Sequence, residues 1–253
     1  MTKRVLDTPD WLIAQPIAHR GLHSRASGII ENTLAAAKAA IAQRYSIECD
    51  IQITRDGEAV VFHDFMLDRL TKAKGRLDTF NADELSQLSY QEGDQNILTL
   101  AAFLTAIDAR TGVIIEIKSR YDGDLRLADR ALQIVNAYPG PVSLKSFDPE
   151  VLVHLRGNKA ACPLGLVAQA KYQDEEFANL SRAQRQSFSA LSHFPHAQPD
   201  FLSWNLDDLP HAIPMLCRAG IGMPVMVWTV RSKADADFAR HHADQIIFES
   251  FTP

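Results

Sequence analysis

Apolar residues follow two rhythms along this chain. Short continuous runs rich in Val, Ile and Leu cover positions 16–19, 46–54, 59–63, 113–118, 142–147, 164–169, 201–204, 225–230 and 245–249. Between most of them lie longer stretches with helical spacing, at 33–43, 100–109, 125–137, 149–156 and 234–242. Continuous apolar runs mark strands buried on both faces, and strands alternating with helices predict a parallel α/β architecture. Asp148 followed by Pro149 supplies the N-cap and first-turn proline of one helix. Asn32 is the expected N-cap of the first long helix.

The nine runs exceed the strands of an eight-stranded barrel by one, and the spacing says which is irregular. Only Arg55-Asp56-Gly57 lies between Thr54, which ends the second run, and Glu58, which leads into the third. Asp-Gly between apolar runs predicts a hairpin, because a parallel crossover needs a dozen residues or more. A two-residue turn places positions that sum to about 113 opposite one another. Asp50 is then expected across from His63, with Glu48 two residues back on the same face.

Chemistry concentrates at that point. Glu48 and Asp50 share a strand face between apolar Ile47 and Ile51. A solvated face is the ordinary reading, but two like charges in a poorly hydrated strand repel unless a cation lies between them. Glu116 and Lys118 interrupt a third apolar run, where Lys118 closes the strand at the end on which barrel enzymes carry their catalytic groups. A mutual salt bridge is the ordinary alternative there. Three carboxylates without a Cys or His ligand pattern suit one hard divalent cation, Mg²⁺ or Ca²⁺. His19 and His63 each end a run and precede a charged residue, Arg20 and Asp64. A lone histidine at a strand end is usually structural, whereas two flanking a metal-bound phosphate have the titration range of a general acid and a general base. Arg20 adds planar donors for phosphate oxygens, and Gly21 lets the backbone come close. Glu31 is placed to orient Arg20 or a metal ligand.

Composition narrows the class. The chain has 253 residues, 46% hydrophobic and 23% charged, with a formal net charge of −5. These are ordinary values for a globular enzyme, without the basic footprint of a nucleic-acid binder. Cys49, Cys162 and Cys217 are too few and too scattered for a disulfide framework or a zinc site. The stretch 1–16 has no apolar segment of signal-peptide length, and no run reaches membrane-spanning length. A cytoplasmic protein without stable membrane anchoring, monomer or homodimer, is expected, as a single domain over 1–253.

Five motifs stand in order: His19-Arg20-Gly21, Glu31-Asn32-Thr33, Glu48-Cys49-Asp50, Val60-Val61-Phe62-His63-Asp64 and Glu116-Ile117-Lys118. With Leu67-Asp68-Arg69-Leu70-Thr71, Ser146-Phe147-Asp148-Pro149 and Val227-Trp228-Thr229-Val230, the series resembles the glycerophosphodiester phosphodiesterase family over positions 17–247. Any one motif is weak; five in order are specific. The resemblance implies a (β/α)₈ TIM-type barrel that hydrolyses glycerophosphodiesters to glycerol 3-phosphate and an alcohol, using a divalent cation. It further implies His19 and His63 as general acid and base, and Glu48, Asp50 and Glu116 as metal ligands. Arg20 and Lys118 would hold the phosphate, Trp228 would line the glycerol side, and 65–97 would be a small insertion capping the mouth.

Departures from the family pattern occur in the loop carrying His23, Ser24 and Arg25, at Arg231, and at Gln245-Ile246-Ile247-Phe248-Glu249. None of these is expected to touch the histidines or the metal ligands. Two other readings keep the fold: a lysophospholipase D-type enzyme, which needs an apolar rim, and a non-catalytic barrel that binds a phosphorylated ligand. His193, His196 and His211 are expected on surface loops and Trp11 at the barrel's edge. Ser146 and Trp204 are read chiefly as structural, with substrate contact the lesser alternative.

Overall fold

Nine strands form one sheet: β1 Ile17–Ala18, β2 Ser46–Ile53, β3 Ala59–Val61, β4 Val113–Ile117, β5 Val142–Ser146, β6 Leu164–Ala168, β7 Phe201–Asn205, β8 Val225–Val230 and β9 Gln245–Phe248. They come from a computed structural model that describes residues 8–93 and 95–253. Positions 1–7 of the stretch read for a leader, and Asp94 of the 65–97 segment, lie outside the described residues. The strand order is β1-β9-β8-β7-β6-β5-β4-β2-β3, and β1 also pairs with β2. Eight parallel strands therefore close a barrel, with β3 beside it. Helices fill most of the connections: α1 Trp11–Ala14, α2 Leu34–Ala42, α3 Ala82–Ser86, α4 Leu100–Ile107, α5 Arg126–Ala137, α6 Pro149–Gly157, α7 Arg182–Ser189, α8 Phe194–Ala197, α9 Ala212–Met215 and α10 Lys233–Ala239. At the start of α6 the Asp148 side chain accepts the Glu150 N–H, as the Asp-Pro pair predicts. Among the described residues no helix is long and apolar enough to cross a membrane.

Strand alternation sorts side chains between two environments. Ile47, Cys49 and Ile51 of β2, Ile115 and Ile117 of β4, and Trp204 of β7 belong to the large cluster shared with the helices. Ile17, Ile114, Phe201, Met226 and Ile247, from five different strands, form a separate cluster with Leu12 of α1. This second cluster is the floor of the barrel. Gly165 is required there, because a Cβ at that position would stand 2.2 Å from the Phe201 ring. Trp11, expected at the edge, packs onto this floor. Two residues further along the same inward faces the barrel turns ionic, with Glu48, Glu116 and Lys145 all buried.

The β2–β3 pairing is antiparallel, Ile51 opposite Val61 and Ile53 opposite Ala59. Its register lies one residue from the expected one. Asp50 faces Phe62, whose N–H donates to the Asp50 carbonyl at 3.0 Å, and does not face His63. The connection is a three-residue loop, in which the Thr54 N–H donates to the Glu58 carbonyl at 2.9 Å. Gly57 takes the left-handed φ of 80° that such a loop needs. Beyond the hairpin, Leu67, Leu77, Leu85, Tyr90 and Ile97 gather with Val60 and Phe62 into a small core of their own.

His193, expected on the surface, is half-buried and packs edge-on against Phe188, ring centroids 5.3 Å apart. Neither ring nitrogen has a hydrogen-bond partner among the described residues. Burial pushes its pKa down to about 4. A lowered histidine favours the neutral folded form, so its contribution is complete above the unfolded value of about 6.5 and is lost as pH falls towards the folded value. His193→Phe should remove about 2 kcal/mol of acid destabilisation in that window, after discounting for partial exposure. The check is the pH dependence of the urea midpoint; an unchanged slope would refute it.

Candidate active site

Glu48, Asp50 and Glu116 each bring a carboxylate oxygen to within 4.8 Å of the others. Parallel register explains the meeting: Asp50 pairs with Glu116 across β2–β4, and Glu116 pairs with Lys145 across β4–β5. Lys118 Nζ lies 2.6 Å from Glu116 Oε1 and 3.2 Å from Asp50 Oδ1. Lys145 Nζ lies 3.0 Å from Glu48 Oε1 and 3.1 Å from Glu116 Oε2. The Arg20 N–H donates to Glu48 Oε2 at 3.1 Å. Burial opposes charge on Asp50, Glu116, Lys118 and Lys145, but the opposite charges win. Lys118, with His63 and Arg20, holds Asp50 well below the usual carboxylate range, and Lys118 and Lys145 bring Glu116 down to about 2. In return Glu116 and Asp50 raise Lys118 well above its ordinary value, while Glu48 and Glu116 raise Lys145.

Asn32 is not the helix cap. Thr33 is, accepting the Ala36 N–H on its side chain. Asn32 instead has a left-handed φ of 56° that turns its amide onto Asp50. Its Nδ2–H donates to Asp50 Oδ2 at 2.9 Å and its Oδ1 accepts the Asp50 N–H at 3.1 Å. Gly21 has a φ of 77°, and a Cβ there would meet Ala36 of α2 at 2.8 Å. The glycine therefore lets helix α2 close onto the strand end.

Both histidines are oriented by carboxylates. His63 Nδ1 lies 2.7 Å from Asp64 Oδ1, and His19 Nδ1 lies 2.6 Å from Glu249 Oε2. Burial would raise Asp64, but His63 and Arg69 bring it down to about 2; His19 and His23 likewise hold Glu249 far below its usual value against burial. An ionised carboxylate only accepts, so each Nδ1 carries the proton and each Nε2 is left for chemistry. His19 Nε2 points towards Glu48, 4.0 Å from its Oε2. Asp64 is held by Arg69 Nε at 2.6 Å, Arg69 also binds Glu31, and Glu31 accepts Arg20 Nη1–H at 2.6 Å. A continuous ionic chain thus runs from His63 to Arg20.

One of the departures noted in the sequence touches His19, contrary to expectation, and two others reach it only through that residue. Glu249 bonds it directly, Arg231 Nε donates to Glu249 Oε1 at 2.8 Å, and His23 Nε2 lies 3.6 Å from Glu249 Oε2. The expectation failed because β9 is adjacent to β1 and delivers the residue that follows it, Glu249, to the same rim. Ser146 and Trp204 face elsewhere. The Ser146 hydroxyl donates to the Ile117 carbonyl, and fully buried Trp204 belongs to the outer core.

A cavity of about 280 Å³ gathers His19, Arg20, Asp50, His63, Glu116, Lys118, Lys145, Phe147 and Trp228 among its walls. Trp228 donates its Nε1–H to the Ser203 carbonyl at 3.1 Å and stands edge-on to Phe147, which fixes an aromatic wall. Lys145 escaped the sequence reading although a signal was present: it is the lone charge in a strand buried throughout, as Glu116 is.

Residues 19–249 match the model of the glycerophosphoryl diester phosphodiesterase family. The chain belongs to this family. A Bacillus subtilis relative, YhdW, provisionally named as a glycerophosphodiester phosphodiesterase, is 28% identical over 187 residues, 70% of this chain and 73% of the relative. The fold is shared with a phosphodiesterase of Oleispira antarctica solved in complex with the product sn-glycerol 3-phosphate, at TM-score 0.76 and 20% identity, over 93% of this chain and 92% of the other. It is shared also with a glycerophosphodiester phosphodiesterase of Thermotoga maritima, at TM-score 0.69 and 23% identity, over 92% of each chain. The family match spans every motif from the His19 strand end to Glu249. The buried acidic cluster is consistent with a divalent metal ion in a phosphodiesterase of this family.

Proposed function

We propose that this chain hydrolyses glycerophosphodiesters to glycerol 3-phosphate and an alcohol by acid–base catalysis between His19 and His63. One observation carries the reading. Two imidazoles, each oriented through Nδ1 by a carboxylate, border one cavity lined also by Asp50 and Glu116, whose carboxylates converge with that of Glu48. The carboxylate set fits a hard divalent cation, because every donor is an anionic oxygen and none is sulfur or imidazole. Glu48, Asp50 and Glu116 would hold one Mg²⁺ or Ca²⁺, which when bound neutralises a phosphoryl oxygen and polarises phosphorus.

The chain's own residues supply the rest. The guanidinium of Arg20 and the ammonium of Lys118 hold non-bridging oxygens of the diester and stabilise the charge that grows on them. One imidazole Nε2 takes the proton of the attacking hydroxyl as a new P–O bond forms. The other gives its Nε2 proton to the alkoxide as the old P–O bond breaks. Asp64 and Glu249 hold the rings in the required tautomer and stabilise each imidazolium. Trp228 and Phe147 give the glycerol carbons an apolar wall. Segment 65–97 caps the mouth of a single-domain barrel, tied to it by Arg69 on Glu31 and by Arg120 on Asp78.

A purified sample given glycerophosphocholine with Mg²⁺ or Ca²⁺ should release glycerol 3-phosphate and should stop in EDTA. Release from no glycerophosphodiester with either metal would favour the non-catalytic reading. Faster turnover of lysophosphatidylcholine would favour the lysophospholipase D-type reading. The exposed hydrophobics speak against that rim: among the described residues Met215, Leu216, Ile221 and Phe238 lie between β7 and β9 on the helical flank, and Met66 alone lies in the capping segment.

A further inference from the structure

We propose that Lys145 is an internal counter-ion that shares Glu48 and Glu116 with the divalent cation and so sets how tightly the metal is held. The inference rests on the reading of Glu48, Asp50 and Glu116 as metal ligands. Lys145 points into the barrel and is 2% exposed. Its ammonium bridges Glu48 Oε1 and Glu116 Oε2, at 3.0 and 3.1 Å. Lys118 takes Glu116 Oε1 and Asp50 Oδ1. The two remaining oxygens, Glu48 Oε2 and Asp50 Oδ2, accept the Arg20 N–H and the Asn32 amide. Every oxygen of the three carboxylates therefore lies within hydrogen-bond or ion-pair reach of a positive group or an N–H, four of the six beside an ammonium, although Glu48 Oε1 meets Lys145 as an ion pair without a hydrogen bond.

The two lysines are not equivalent. Lys118 has a third carboxylate within reach, the part-exposed Glu176 at 3.4 Å, and can turn towards it. Lys145 has no such exit: among the described residues its ion-pair partners are Glu48 and Glu116 alone. A cation that enters the cluster must sit beside a fixed positive charge and compete with it for the same oxygens, which weakens binding. The same ammonium cancels repulsion between the carboxylates when no metal is present, so the ligand set keeps its geometry through metal exchange.

Calorimetric titration of Mg²⁺ and Ca²⁺ into the wild type, Lys145→Gln and Glu116→Gln tests this. Wild-type affinity is expected in the millimolar range, Lys145→Gln at least about tenfold tighter, and Glu116→Gln without measurable binding. In EDTA the thermal midpoint of Lys145→Gln should drop and Mg²⁺ should restore it, while the wild type changes little. Binding by Lys145→Gln no tighter than wild type, with Glu116→Gln still abolishing it, overturns the competition alone. No binding by any of the three proteins overturns it together with the ligand reading. Micromolar binding by the wild type overturns it whichever variants fold.

Discussion

His63→Ala should lower turnover of a glycerophosphodiester roughly a hundred- to ten-thousand-fold, and His19→Ala should do the same, with neither unfolding the chain. Loss of the His63 ring leaves Asp64 still held by Arg69 at 2.6 Å. Loss of the His19 ring leaves Glu249 still bonded to Arg231 at 2.8 Å. No carboxylate is stranded, so unfolding midpoints should stay close to wild type. Steady-state kinetics on two substrates separates the roles. A nitrophenyl ester has a leaving group that needs no protonation, so the variant lacking the general acid should recover most of its rate there. The variant lacking the base should not. Wild-type rates in either variant would remove the acid–base assignment.

Asp50→Asn should be as damaging and should also cost stability. Asp50 carries the contacts of Lys118, Arg20 and Asn32 at once, at 3.2, 3.4 and 2.9 Å. Its amide counterpart loses the negative charge that a divalent ligand set needs and leaves Lys118 short of one partner. We expect kcat/KM to fall roughly a thousandfold. The fold should lose about 3 kcal/mol, because breaking a buried ion pair strands the other charge. Kinetics at saturating Mg²⁺ and urea unfolding read the two losses separately. A stable variant with wild-type kcat/KM would exclude Asp50 from the ligand set.

Much of this was legible from spacing alone. The nine apolar runs all became strands, because buried parallel strands must be continuously apolar and anything else in them stands out. Glu48, Asp50 and Glu116 stood out for that reason, and they converge. Lys145 carried the same signal. Asn32 was misjudged because an N-cap and a left-handed residue before one look alike in sequence; only the fold shows which of Asn32 and Thr33 faces the helix. The register of the hairpin turned on whether Arg55-Asp56-Gly57 closes as two residues or three, a difference set by the φ of Gly57. Glu249 was out of reach for a different reason. Its contact with His19 spans almost the whole chain and exists only because β9 closes the barrel onto β1.

The measurement that bears most directly on the account is an anomalous difference map from a crystal grown with Mn²⁺ and glycerol 3-phosphate. One peak should lie within about 2.6 Å of an oxygen from each of Glu48, Asp50 and Glu116, with the phosphate between it and the rings of His19 and His63. A phosphate bound there without metal, in protein that still turns over substrate, or a metal bound away from these three residues, would contradict it.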